Sequence, residues 1–360
     1  MRVFIYVLCC VLVCLGPNYN PLSAQVLNDN IKTIVRAVKV KQDTAYISKP
    51  KRLTIRIFGS RNYVSEQFID NRVDETLKYK ANMPISTGFG LSYRGIGLSL
   101  GFRTGIVKKY EKYGETKSFD LSTQLFLPKI AIDIYGSYYR GYYVTDPSSI
   151  LNNSGTGPYY IRPDLHTGLV GINGEYIQNA KKFSFSSPYS QTQYQKKSAG
   201  SFLFGAGIYA IFINADSSIV PKTINNADFF KGDQFNKSNI YSLVINGGYA
   251  YTLVIEKNYF VSGSLNLGGG LSYTTLSNTI ADNRNDKIGT QLNMAFRLGT
   301  GYNSEHYFAG LQYIQLITKN MTPLKSTRED LSFGSIRLVL AKRFKFRQKN
   351  IDRAINKLGK

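Results

Sequence analysis

Residues 259–274 read Y-F-V-S-G-S-L-N-L-G-G-G-L-S-Y-T, and no other stretch limits the fold so tightly. Taken by parity, Tyr259, Val261, Gly263, Leu265, Leu267, Gly269, Leu271 and Tyr273 form an uncharged face with a tyrosine at each end. The opposite face, from Ser262 through Ser264, Asn266, Gly268, Gly270 and Ser272 to Thr274, is small and mostly polar. A period of two means a strand, whose successive side chains point to opposite sides of a sheet. A soluble barrel would put its apolar face inside. Apolar outward, aromatic at both water boundaries and polar inward is the pattern of a transmembrane β-barrel strand.

The same alternation recurs in twelve segments: 53–63, 85–93, 96–104, 118–127, 130–143, 165–177, 198–213, 241–252, 259–274, 288–303, 307–317 and 331–346. The links between them offer an independent check, because such barrels alternate long outer loops with short periplasmic turns. The long links are 64–84, 105–117, 145–164, 214–240, 275–287 and 318–330, and the short ones are 94–95, 128–129, 255–258 and 304–305. They alternate in order with one exception. The link 178–197 falls on the short side, yet is long, basic and aromatic. Either it forms a structured periplasmic element or a strand pair is misplaced. The expected fold is therefore all-β, a transmembrane antiparallel up-and-down β-barrel of about twelve strands, with ten or fourteen also compatible. A closed barrel satisfies its backbone hydrogen bonds without water, as lipid requires. The competing fold, a soluble sandwich, would show Lys and Glu on the polar face where this chain shows Gly, Ser and Asn.

Composition agrees. The chain has 27 Tyr, 32 Gly and no Trp, and only 19% of its residues are charged. Its net charge of +22 raises nucleic acid as a partner. The bases are scattered, however, and no nucleic-acid-binding motif accompanies them, so no nucleic-acid partner is expected. Anionic outer-membrane lipid, lipopolysaccharide above all, suits a basic barrel better.

Residues 1–24 read as a cleaved signal peptide: Arg2, an apolar run to Leu15, and Leu22-Ser23-Ala24 before Gln25. Cys9, Cys10 and Cys14 all lie within it, so the mature chain is expected to have neither disulfide nor thiol chemistry. A lipoprotein signal at Cys14 is disfavoured by Val13, where a small residue belongs. Residues 25–52 then form a polar periplasmic leader. Ile31, Ile34, Val35 and Val38 are spaced for one helix face, and a plug reaching into the lumen is the functional alternative. Residues 53–346 are the barrel. The last strand ends in Phe344 and Phe346, the aromatic ending that the barrel assembly machinery recognises during biogenesis. Residues 347–360 form a basic periplasmic tail with Asp352 as its one acid.

Three motifs carry a family resemblance: Asp43-Thr44-Ala45-Tyr46-Ile47, Leu53-Thr54-Ile55-Arg56-Ile57-Phe58, and Gln195-Lys196-Lys197-Ser198-Ala199-Gly200-Ser201-Phe202-Leu203. The chain resembles an uncharacterised family of Bacteroidetes exported proteins known as domain of unknown function 4421. The resemblance implies a Gram-negative outer-membrane barrel and supplies no activity, substrate or catalytic residue.

Chemistry is sparse. The two histidines, His166 and His306, have no nucleophile at a telling spacing, so no catalytic residue is assigned and an outer-membrane lipid hydrolase is the least favoured reading. No His/Cys cluster suggests a metal, and no cofactor is expected. Residues 282–286, D-N-R-N-D, resemble part of a calcium loop but lack the Gly and distal Glu of an EF-hand. The candidate site is inward charge. By parity Arg56, Arg103, Arg297 and Arg337 face the lumen, as do Asp120, Asp133 and Glu175. They make either a salt-bridge network filling a narrow interior or a pore lining that favours anions. The expected function is that of an integral outer-membrane barrel acting as a passive channel or a transport or assembly component. The alternative is a structural or surface-interaction barrel whose loops meet lipopolysaccharide or another protein. Oligomeric state is not legible.

Overall fold

A computed structural model describes residues 41–48, 52–93, 96–103, 111–120, 123–145, 150–151, 159–278 and 282–345. The expected signal peptide, most of the leader and the basic tail lie outside the described residues.

The chain opens with the short strand β1 (Ile47–Ser48), then β2 (Arg52–Asp70), β3 (Glu75–Lys80), β4 (Ser86–Tyr93) and β5 (Ile96–Arg103). Next come β6 (Lys117–Asp120), β7 (Thr123–Phe126), β8 (Ile130–Val144) and β9 (Ile161–Ile177). A single helical turn, α1 (Ser186–Tyr189), and the short β10 (Tyr194–Gln195) precede β11 (Ala199–Asn214). Long strands finish the chain: β12 (Lys237–Ile255), β13 (Tyr259–Asn278), β14 (Asn283–Asn303), β15 (Tyr307–Met321) and β16 (Thr327–Lys345).

From β16 back to β8 each wall strand pairs antiparallel with the next in sequence, and β16 closes on β2 through Phe344↔Leu53 to Thr327↔Asp70. β3 bridges the upper half of β2 to the end of β8, so ten strands close a hydrogen-bonded ring. Four shorter strands complete the wall below β3: β4 and β5 continue from β2, while β6 and β7 pair with β8. All twelve expected segments fall on strands, with 118–127 divided between β6 and β7. The count rises from twelve to fourteen through that division and through β3, which lies inside the expected loop 64–84, where β2 runs on to Asp70 and turns back.

The physical reason for that difference is a change of solvent along one strand. On β2, Ile55 and Ile57 point outward and are exposed, as lipid-facing residues should be. Further along, Ser65 and Gln67 take the outward positions while Val64 and Phe68 are buried inside. Beyond the hydrocarbon the outside is water, so the alternation reverts to that of a soluble sheet. A reading tuned to apolar-outward strands stops at the boundary.

The exterior belt is apolar. Leu243, Ile245 and Leu253 on β12, Leu265, Leu267 and Leu271 on β13, and Leu292 and Leu298 on β14 are all exposed. Tyr249, Tyr251, Tyr259 and Tyr307 gather near the end with short turns, and Tyr138 and Tyr241 lie toward the end with long loops. Transmembrane barrels place their aromatic girdles in this way.

Residues 259–274 lie wholly within β13. On its inner face Ser262, Ser264, Asn266 and Ser272 are buried, and Gly270 sits where β12 comes closest. A Cβ added there would lie 1.9 Å from the Leu243 carbonyl oxygen and 2.7 Å from the Val244 Cα, both backbone atoms that cannot swing aside. Gly270→Ala is therefore expected to destabilise the barrel by about 1–3 kcal/mol, the usual range for overpacking. The urea midpoint of the folded band on unheated gels measures it.

Candidate functional site

The interior is filled in three layers, described here from the end with short turns to the end with long loops. The lowest layer is the exceptional link 178–197. β9 and β11 are direct neighbours, paired from Ile177↔Leu203 to His166↔Asn214, so no strand pair is missing between them. The link instead folds into the barrel as a plug. Phe183 through Thr192 are all buried, α1 included.

One side of the plug is aromatic. Phe185 and Tyr189 stack on Phe126 of β7 at 6.0 and 6.5 Å, and Phe183 meets Phe185 edge-on. The other side is polar and grips β14, β15, β16 and β2. Arg56 donates to the Ser190 carbonyl and to Gln191 Oε1, each at 3.2 Å. Arg343 Nε donates to the Gln191 carbonyl at 2.8 Å, and its Nη2 donates to Asn303 Oδ1 at 2.9 Å. Asn303 Nδ2 donates to Ser187 Oγ at 3.1 Å, and Gln312 Nε2 donates to the Pro188 carbonyl. The plug thus offers its carbonyl groups to side chains on the wall, so a loop without strand partners still pairs its backbone. Burial pushes the Tyr189 phenol up to about 12, so it remains a neutral packing group.

All three motifs of the sequence resemblance meet at this plug, the second of them through the Arg56 grip. Gln195 ties its ends together: its Nε2 donates to the Lys182 and Lys197 carbonyls at 2.6 and 2.9 Å, and its Oε1 accepts from the Ser184 amide. Residues 43–48 lie alongside. The Asp43 amide donates to the Lys181 carbonyl, Ile47 pairs with Gln195, and the Tyr46 ring lies between the Lys182 and Lys197 ammonium groups at 5.0 and 5.6 Å.

The middle layer is ionic. Arg297 on β14 reaches across the lumen, donating through Nη2 to Asp133 Oδ2 on β8 and through Nη1 to Glu175 Oε2 on β9, the latter at 3.3 Å. All three side chains are at most 2% exposed. Asn173 and Asn266 donate to Glu175 Oε1 at 3.0 and 3.2 Å, and Gln124 donates to Asp133 Oδ1 at 2.9 Å. Phe185 of the plug lies under the guanidinium at 5.4 Å, joining this layer to the one below.

The other sequence-predicted charges stand apart from that cluster. Arg56 belongs to the plug grip. Arg337 lies over the Phe58 ring at 4.7 Å. Asp120 accepts from Asn62 Nδ2, Ser137 Oγ and Tyr139 Oη at 3.1–3.2 Å, although it is itself solvent-accessible. Arg103 pairs through its backbone with Ser86, and its side chain lies outside the described atoms.

The upper layer is apolar. Residues 215–236 fold over the end with long loops, burying Ile219, Val220, Phe229, Phe230 and Phe235 against Phe68, Leu77 and Tyr79 of the wall. Phe230 contacts Phe68 and Phe235 at 6.0 and 5.6 Å. Polar pins hold the lid of this core. Asp70 Oδ2 accepts from the Phe230 amide at 2.8 Å, Tyr79 Oη donates to the Ile219 carbonyl at 2.6 Å, and Arg162 donates to the Ser218 carbonyl at 2.8 Å.

The histidines form no catalytic grouping among the described residues. His166 Nδ1 lies 3.1 Å from the Asp164 carbonyl beside Tyr138, and His306 packs on Tyr307. Arg343, Asn303 and Gln312, which hold the plug, are absent from the sequence-predicted set. Arg343 shares the parity of Arg337 and was open to the same inference.

Solved structures with a similar fold include the P. putida toluene transporter TodX (9% identity, 83% of this chain and 91% of that one, TM-score 0.28). OmpT of Vibrio cholerae matches at 10% identity over 81% of this chain and 99% of its own, TM-score 0.27. The translocator domain of the autotransporter NalP from Neisseria meningitidis matches at 9% over 89% and 97%, TM-score 0.30. Likeness at this level carries nothing about substrate or activity. No curated protein matches the chain. Residues 41–344 match the family described as domain of unknown function, DUF4421, and the chain belongs to that family.

Proposed function

We propose that this is an outer-membrane barrel with a closed interior, a structural or surface-interaction protein that works at its outer end rather than through its centre. The end with short turns faces the periplasm, the long loops face outward, and export uses residues 1–24 as a cleaved signal. The observation that carries this reading is the filling of the lumen at three levels by the plug, the Arg297 cluster and the aromatic cap. A passive channel needs a continuous wet path, and three packed layers oppose one. The partner at the outer end is the phosphate-bearing lipopolysaccharide around the barrel. Arg72, Lys222, Lys231 and Lys325 are exposed there, among exposed acids such as Asp74 and Asp228. Assembly machinery engages the barrel only during biogenesis.

A second reading, a transport component opened by plug release, draws on the polar grip of Arg56, Arg343, Asn303 and Gln312. Each such hydrogen bond can be exchanged for one to water at a net cost of about 0.5–3 kcal/mol, which a bound partner could offset in releasing the plug.

The first reading is tested by native mass spectrometry of the detergent-extracted protein. Bound lipopolysaccharide is expected on the wild type and is expected to be lost, or released by salt, when Lys222, Lys231 and Lys325 are changed to glutamine. Retention identical in both proteins would sink the lipid assignment and leave another protein as the surface partner.

A further inference from the structure

A second pair of acids lies inside the barrel, away from Arg297. Glu66 on β2 and Glu329 on β16 are both fully buried. In the β2–β16 ladder Glu66 stands opposite Leu331 and Glu329 opposite Phe68, so the two acids are diagonal neighbours on the inner face. The row continues sideways. Glu329 stands opposite Asn320 on β15, and Asn320 opposite Gln291 on β14; both amides are also fully buried.

From the facing wall two hydroxyls reach across. Thr167 and Ser238 share a register row, each opposite Ile213. Thr167 donates to Glu66 Oε1, and Ser238 donates to Glu329 Oε2 at 2.8 Å. Each carboxylate therefore has one oxygen held and one left over. The amides repeat the pattern. Gln291 Nε2 donates to Asn293 Oδ1, and Asn320 Nδ2 donates to Thr318 Oγ1, which leaves their carbonyl oxygens over. Glu66 Oε2, Glu329 Oε1, Asn320 Oδ1 and Gln291 Oε1 accept no hydrogen bond among the described residues, and the Tyr142 hydroxyl beside Glu66 is likewise unpartnered.

In the ladder Phe68 stands opposite Glu329 and Leu331 opposite Glu66, and both belong to the buried apolar core. Among the described residues no Arg, Lys or His forms an ion pair with either acid. Buried charge without a counter-charge is very costly, and two like charges side by side make it worse. What is lacking is positive charge offered to oxygen acceptors. No thiolate or imidazole contributes, so the donor set is hard and suits calcium-like ions rather than zinc. Calcium takes six to eight oxygens from carboxylates, amide carbonyls and water in flexible geometry.

We propose that Glu66, Glu329, Asn320 and Gln291 hold a divalent cation of the calcium class inside the barrel. Among the described residues no group of three or more His, Cys, Asp or Glu side chains converges, so amide oxygens and water complete the shell. The ion would join β16 to β2, the first and last long strands, at the seam where the barrel closes.

The test uses full-length protein in detergent, stripped with a chelator and titrated with Tb³⁺. The chain has no tryptophan, so sensitised emission comes from tyrosines such as Tyr142, which adjoins Glu66. One saturable Tb³⁺ per barrel is expected, displaced by Ca²⁺ and lost in Glu66→Gln/Glu329→Gln. Ca²⁺ should also raise the urea midpoint of the wild type and leave that of the double variant unmoved. Asn320→Ala keeps both acids and is expected to weaken Tb³⁺ binding about tenfold or more. Should the double variant fail to fold, Asn320→Ala decides the matter alone. Three results would overturn the proposal: no emission with a Ca²⁺-independent midpoint, emission that survives in the double variant, or unweakened Tb³⁺ binding in Asn320→Ala. The first, with a double variant at least as stable as the wild type, would mean that the acids are protonated.

Discussion

Arg297→Met is expected to cost the barrel about 3–5 kcal/mol, the range for removing one member of a buried ion pair. Methionine nearly fills the space, so the loss is electrostatic rather than steric. Asp133 and Glu175 would remain, each at most 2% exposed, in an interior with no other cation hydrogen-bonded to them among the described residues. The cluster already holds one cation against two carboxylates. Removing the cation leaves two adjacent anions facing Phe185 and the plug. The triple variant Arg297→Met/Asp133→Asn/Glu175→Gln removes the charge imbalance, and most of the stability is expected to return. Urea midpoints from unheated gel migration compare the three proteins. A single variant that unfolds with the wild type would mean that water solvates these groups, and that the middle layer is a wet lumen.

Much of the barrel was legible in the sequence because lipid imposes a simple code. Leu265, Leu267 and Leu271 against Ser264, Asn266 and Gly270 can mean little else. The code fails where the solvent changes. Val64, Glu66 and Phe68 continue β2 with the same parity, yet their outward partners Ser65 and Gln67 face water, so the stretch resembles a loop. Glu329 and Asn320 were lost in the same way, inside an expected loop at 318–330 that β15 and β16 enter from both sides.

Parity placed Arg297, Asp133 and Glu175, but register alone cannot say that they meet. Arg297 lies on β14 and the acids on β8 and β9, so only the closed ring brings them together across the lumen. The plug was visible only as an anomaly. Residues 178–197 are too long for a periplasmic turn, and nothing in Phe183, Phe185 or Tyr189 tells an aromatic segment folded inward from one lying on the membrane. Gln195 is the residue that closes this fold, and its three bonds to the ends of the plug give a physical reason for its place in a family motif.

A closed interior is the central claim, and ion flow through a planar bilayer tests it most directly. The wild-type barrel is expected to be silent in symmetric potassium chloride. Residues 180–196 can be replaced by a short Gly-Ser turn without disturbing the β9–β11 ladder, which runs from Ile177↔Leu203 to His166↔Asn214. The plug-less barrel should stay silent, because the cap around Phe229, Phe230 and Phe235 still seals the other end. Replacing residues 216–235 by a second linker removes that seal, and stepwise conductance is expected only when both replacements are combined with Arg297→Ala/Asp133→Ala/Glu175→Ala, which empties the middle layer. Steady, unitary conductance from the wild-type protein would contradict a filled lumen and restore the passive channel.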